Sequence, residues 1–186
     1  MSVKKTQFKK DTFYFFTITC YNWIPLFEIT NLYDNIYRWF DILKSKKIKV
    51  ISYVIMPNHL HMIVFFHEQK ESINNIIGTG KRFMAYEIVE RLKMKKNIFI
   101  LKKLEEGVNE IERRRGKLHQ MFQPSFDLKA LDTEKFLLQK INYIHNNPVS
   151  KKWNLVEDYR KYPFSSAGYY ELGEVNGYEV THYLEI

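Results

Sequence analysis

His59 and His61 stand two apart in VIMPNHLHMIVFF, residues 54–66, a stretch that is otherwise almost wholly apolar. In a strand, residues i and i+2 point to the same face, so the two imidazoles would lie side by side. Burying two such groups without partners costs about 1–3 kcal/mol each. A shared metal ion removes both costs, because neutral imidazole is a good ligand. The same spacing also occurs on exposed strands without consequence, and a single buried histidine is usually a hydrogen-bonded structural residue. The pair is a candidate metal site, and any further ligand must come from elsewhere in the chain.

A second group of candidates lies in DTEKFLLQKINYIHNNPV, residues 132–149. Asp132 or Thr133 can start a helix there and Pro148 stops it. Its apolar stripe is Leu137, Leu138, Ile141 and Ile144. At about 100° per residue, Tyr143 lies roughly 200° from Ile141, off that stripe. Asn147 is one turn further on and shares a neighbouring surface, although Pro148 biases it away from helical geometry. With 13 tyrosines in the chain, packing or a plain surface role is the alternative for any one of them.

Other chemistries are excluded. GTGKR at 78–82 has the look of a phosphate-cradling loop, but Asn75 stands where the first glycine is needed and Arg82 replaces the metal-binding hydroxyl. No nucleotide cofactor is expected, and the glycines are read as places where a helix bends or packs closely. The single cysteine, Cys20, rules out an internal disulfide and a cysteine-based zinc site. No run approaches 18 apolar residues, and no apolar segment follows the charged start of the chain, so a cytoplasmic protein without a membrane span is expected.

The elements that must position these residues follow from pattern. TFYFFTITCYN (12–22) reads as a strand, and Asn31 can cap a helix over LYDNIYRWFDILKSKK. IKVISYVIM (48–56) and HLHMIVFF (59–66) form a hairpin about Pro57-Asn58. A helix follows from about Ser72 to Lys95, then a charged loop over 97–117, a fourth strand near 118–123 broken by Pro124, and the helix carrying Tyr143. The order β-α-β-β-α-β-α predicts an α+β, ferredoxin-like split β-α-β fold. The His59/His61 strand would be central in an antiparallel sheet, with helices on one face and the other left free.

The chain has 186 residues, 45% apolar and 27% charged, which suits a single domain with a real core. Its net charge of +8 falls in clusters, including Lys4, Lys5, Lys9 and Lys10 at the start and Arg113, Arg114, Arg115 and Lys117 later. Such patches suit a polyanion, and aromatic residues interleave with them as single-stranded nucleic acid would need. A solvated charged face beside core aromatics is the alternative.

MPNHLHMIV, HQMFQPSFD, YIHNNPV and DYRKYPFSSAGYY occur in that order. Together they resemble the single-tyrosine HUH transposases of insertion sequences, most closely those associated with repetitive extragenic palindromes. The resemblance spans about residues 10–170, leaving a tail over 171–186. It implies that His59 and His61 are metal ligands, that Asn147 stands where relatives place a third polar ligand, and that Tyr143 is the nucleophile. It further implies a DNA nicking and strand-transfer enzyme acting on single-stranded, hairpin-forming DNA through a covalent phosphotyrosine, with Mg²⁺ or Mn²⁺. A prokaryotic, nucleoid-associated location is implied, as monomer or homodimer. A domesticated hairpin binder that does not cut is the alternative. An RNA-binding sheet lacks its signature here, and a plain metal-dependent hydrolase would make Tyr143 dispensable. The chain departs from the family in reading NPVSKKWNLV after the helix, which leaves its DNA contacts open.

Overall fold

Aromatic and β-branched residues over Thr12–Thr19 form β1, in a computed structural model that describes residues 11–67, 71–124 and 127–186. A short α1 (Leu26–Ile29) and α2 (Tyr33–Ser45) lead to β2 (Lys49–Met56), β3 (His59–Phe66) and the long α3 (Ile73–Met94). Then come α4 (Ile98–Glu106), α5 (Glu110–Arg114), β4 (Leu128–Leu131), α6 (Glu134–His145) and α7 (Ala167–Leu172). The sheet order is β2-β3-β1-β4 and every pairing is antiparallel. β3 thus sits between β1 and β2, which is the split β-α-β arrangement, and the histidine strand is central.

Alternation divides the strands between two cores. Tyr14, Phe16 and Ile18 of β1, with Leu60, Met62 and Val64 of β3, pack against Trp39 and Phe40 of α2 and Met84 and Ile88 of α3. Phe15 of β1 and Ile63 and Phe65 of β3 face the other way, against Leu137, Ile141 and Ile144 of α6. The expectation that one face stays free is therefore corrected. The stripe on α6 must itself be buried, each of its aliphatic side chains contributing roughly 1.5–3 kcal/mol, and the second face buries it. His145 replaces the exposed Leu138 in that stripe.

Other expectations change as well. Residues 97–117 are not a loop: α4 and α5 form there because Asn97 and Asn109 each cap a helix, accepting from the backbone N–H of Ile100 and Glu112. The segment 118–123 makes only an isolated bridge, Cys20 to Phe122, and the fourth strand is Leu128–Leu131 beyond Pro124. β1 ends at Thr19, before a 3₁₀ turn over Tyr21–Trp23. Asn31 does not cap α2; it adopts a left-handed φ of 49° and Leu32 takes the cap position. α3 runs unbroken through Gly78 and Gly80, and a Cβ on Gly80 would lie 2.3 Å from the Trp39 ring, so that glycine serves close packing. The outer edge of β2 is covered: Ile55 N–H donates to Phe164 O at 2.8 Å, and Thr181 N–H to Val50 O at 2.9 Å.

Candidate active site

The β1–β3 register sets the floor of the site. Thr17 stands opposite His61 and Thr19 opposite His59. Thr17 Oγ1 lies 2.8 Å from His61 Nδ1. The other ring is fixed by the turn that precedes it. Asn58 Nδ2 donates to the Trp23 carbonyl at 2.7 Å, so its Oδ1 is the acceptor that faces His59 Nδ1 at 2.8 Å. His59 therefore carries its proton on Nδ1 and keeps the Nε2 lone pair available. His61 matches it when Nδ1–H donates to Thr17. This is the arrangement in which a metal-binding histidine is oriented by a partner on its second nitrogen.

α6 brings the remaining candidates over this floor. It starts at Thr133, whose side chain accepts from Phe136 N–H at 3.2 Å, and it is anchored at its far end by His145. His145 Nε2 lies 2.9 Å from Ser166 Oγ and 3.2 Å from Ser52 Oγ. A bulge between Val50 and Ser52 allows both Ile51 and Ser52 to meet α6. So tethered, the helix holds Tyr143 about half exposed, its hydroxyl 3.4 Å from His61 Nε2. That is a long, weak contact. Asn147, just past the helix end, is buried and its Oδ1 has no hydrogen-bond partner.

These four side chains line one cavity of about 620 Å³. Lysines surround it. Lys140 Nζ lies 5.0 Å from the Tyr143 ring centroid and 4.6 Å from that of Phe15. Lys152 reaches over Trp23 on the other side. Burial pushes His59 down to about 4; the Lys152 charge adds to this and the neighbouring Asn147 side chain opposes it. Burial likewise pushes His61 well below the ordinary value, reinforced by His59 and Lys140. Both rings are neutral at pH 7, the protonation state in which an imidazole nitrogen can serve as a metal ligand. Among the described residues no three His, Cys, Asp or Glu side chains cluster as a metal site. The donor set is instead two imidazoles and the buried Asn147 amide oxygen, which has no hydrogen-bond partner within reach, and a divalent cation fits it.

No family model matches the chain. An uncharacterized protein of Haemophilus influenzae is 26% identical over 157 residues, covering 79% of this chain and 86% of its own length. Among solved structures, a REP-associated tyrosine transposase bound to a REP hairpin is similar, with a TM-score of 0.61, 17% identity, and coverage of 97% of this chain and 99% of that one. This chain shares that protein's fold.

Within that fold the other expected site residues are scattered. Lys4, Lys5, Lys9 and Lys10 lie outside the described residues. Arg113, Arg114, Arg115 and Lys117 sit on or just after α5, away from the cavity, where Lys117 pairs with Glu112 at 2.8 Å and Arg113 donates to the Glu105 carbonyl at 2.9 Å. Residues not singled out from the sequence line the cavity instead: Thr17, Trp23, Lys140, Lys152 and Trp153. Only Lys140 had a legible signal, standing three residues before Tyr143 and so on the same helix face. Among the described residues, no helix is long and apolar enough to cross a membrane.

Proposed function

We propose that this chain is a DNA transposase that nicks and rejoins single-stranded, hairpin-forming DNA through Tyr143. The observation that carries the reading is the convergence, on one lysine-ringed cavity, of a half-exposed phenol, two neutral imidazoles and an unpaired amide oxygen. His59, His61 and Asn147 hold a divalent cation, Mn²⁺ more tightly than Mg²⁺ because the donors are nitrogen-rich. When bound, it neutralises charge on a non-bridging phosphate oxygen. A REP-associated transposase of the same fold is bound to a REP hairpin, which supports hairpin DNA as the substrate.

The chain's own groups do the rest. Tyr143 Oη attacks the phosphorus, the P–O3′ bond breaks, and the phenol proton is made up at the departing 3′ oxygen, leaving a phosphotyrosine and a free 3′-hydroxyl. The bond energy stays in the phosphodiester link, so no nucleotide is consumed. Lys140 places positive charge beside the phenol as it becomes a nucleophile and near the phosphate oxygens. Of the alternative tyrosines, Tyr162 is buried and donates to the Ile55 carbonyl at 3.0 Å, a packing role, and Tyr159 lies in a 3₁₀ turn outside the cavity lining.

The test is an SDS-stable adduct on hairpins with randomised single-stranded flanks, formed with Mn²⁺ and blocked by EDTA. It should vanish in Tyr143→Phe. Hairpin binding without any adduct would replace this reading with a non-cutting binder, and an adduct that persists in Tyr143→Phe would move the nucleophile elsewhere.

A further inference from the structure

At the end of the cavity away from Tyr143, two indoles flank His59. The Trp23 and Trp153 ring centroids lie 5.8 Å and 5.4 Å from that of His59. Lys152 Nζ reaches both, 4.3 Å from the Trp23 centroid and 5.3 Å from that of Trp153. Trp23 is 50% exposed and packs into neither core. Its backbone is also costly: Asn22 and Trp23 are consecutive non-glycine residues with φ of 48° and 57°. Such strain persists only where surrounding bonds impose it. Here Trp23 N–H donates to Cys20 O at 3.1 Å and Asn58 Nδ2 donates to Trp23 O at 2.7 Å. The amide that orients His59 therefore also holds the Trp23 backbone. Neither the fold nor the proposed strand-transfer chemistry needs an exposed, strained tryptophan at this place.

We infer that Trp23, Trp153 and Lys152 form a nucleobase-stacking subsite, which holds the base next to the phosphate bound at the histidines. The inference rests on the single-stranded DNA reading of the same cavity. Every base has a π-face, so an indole platform accepts an unpaired nucleotide without needing its sequence, and a cation beside it suits the flanking phosphate. Lys152 now lies against the indoles, and a base entering there takes over its aromatic contacts while the ammonium turns to the backbone.

The test separates bases from phosphates. The full-length protein is titrated in EDTA, where no strand is cut, with oligothymidylate and with an abasic strand of equal length and charge. Tryptophan fluorescence reports binding, with buried Trp39 as a constant background. The parent should be quenched by the thymidylate and bind it about 10-fold or more tightly than the abasic strand. Trp23→Ala and Trp153→Ala should lose most of that preference while keeping abasic-strand affinity, and the phenylalanine variants should retain much of it. Lys152→Gln should weaken both strands alike. Equal parent affinity for the two strands, or alanine variants that keep the preference, would overturn the subsite. Tyr143-dependent adduct with no base preference would sink this inference and leave strand transfer standing. A base preference with no adduct would do the reverse, and binding of neither strand would overturn the subsite alone.

Discussion

Acid should destabilise this protein through its buried histidines, by an amount the structure sets. His59 and His145 are both pushed down to about 4 by burial, and His61 lies well below the ordinary value. In the unfolded chain each returns to about 6.5. The unfolded state then binds more protons, so stability that is full above pH 6.5 is lost as pH falls through the window from 6.5 to about 4. One such histidine costs about 2 kcal/mol at pH 5 and about 3 kcal/mol at pH 4. His59 and His145 together remove about 4 kcal/mol between pH 7 and pH 5, before His61 is counted, against a total of about 5–15 kcal/mol for a typical domain. Asp34, held down by its hydrogen bond from Arg91, works in the same direction only in the lower, carboxylate range. Urea unfolding followed by circular dichroism at pH 7 and pH 5, in EDTA, measures the drop. His145→Gln should be less stable than the parent at pH 7, yet lose about 2 kcal/mol less on going to pH 5. A parent whose stability changes by less than about 1 kcal/mol over that interval would refute the claim that these rings are buried and neutral.

Three further outcomes follow from named contacts. His59→Ala and His61→Ala should each weaken Mn²⁺ binding by about 100-fold in calorimetry, since each removes one of three donors; parent-like binding would dismiss the metal assignment. Lys140→Met should slow adduct formation by about 100-fold without weakening Mn²⁺ binding, because it removes a positive charge beside the phenol and one that also repels a cation at His61. Gly80→Ala should destabilise by about 1–3 kcal/mol because its Cβ would meet the Trp39 ring at 2.3 Å, whereas Gly78→Ala, which meets nothing within 4 Å, should stabilise by about 0.4–1 kcal/mol. Thermal denaturation of the two variants distinguishes them.

What could be read in the sequence was whatever depended on local period. The i, i+2 histidines needed only strand alternation to share a face, and Tyr143 needed only the helical period to leave its apolar stripe. Cross-strand register then placed Thr17 opposite His61, which no local pattern shows. The short helices α4 and α5 escaped notice because nine and five residues barely show a period, and their capping asparagines resemble loop residues. The four-residue β4 was missed for a similar reason, its place being given to the more apolar 118–123. The second covered face followed from counting apolar stripes against available surfaces, which needs the whole topology. Trp23 and Trp153 meet at His59 only through tertiary closure of residues 130 apart in sequence.

His61 Nε2 holds one lone pair, and two claimants face it: the Tyr143 hydroxyl at 3.4 Å and any cation shared with His59 and Asn147. Both cannot have it at once. A cation held there would displace the phenol, at a cost near or below the low end of the about 0.5–1.5 kcal/mol of an ordinary hydrogen bond because this one is long. Among the described residues the Tyr143 hydroxyl has no other hydrogen bond, and the side chain is half-exposed, so it would then be free to turn. On the proposed chemistry, His61 would hold Tyr143 only while no cation is bound. Tyr143→Phe should accordingly bind Mn²⁺ as tightly as the parent or up to about threefold more tightly. Binding tenfold weaker than the parent would mean that the phenol is itself a ligand, and the order of events would have to be reversed.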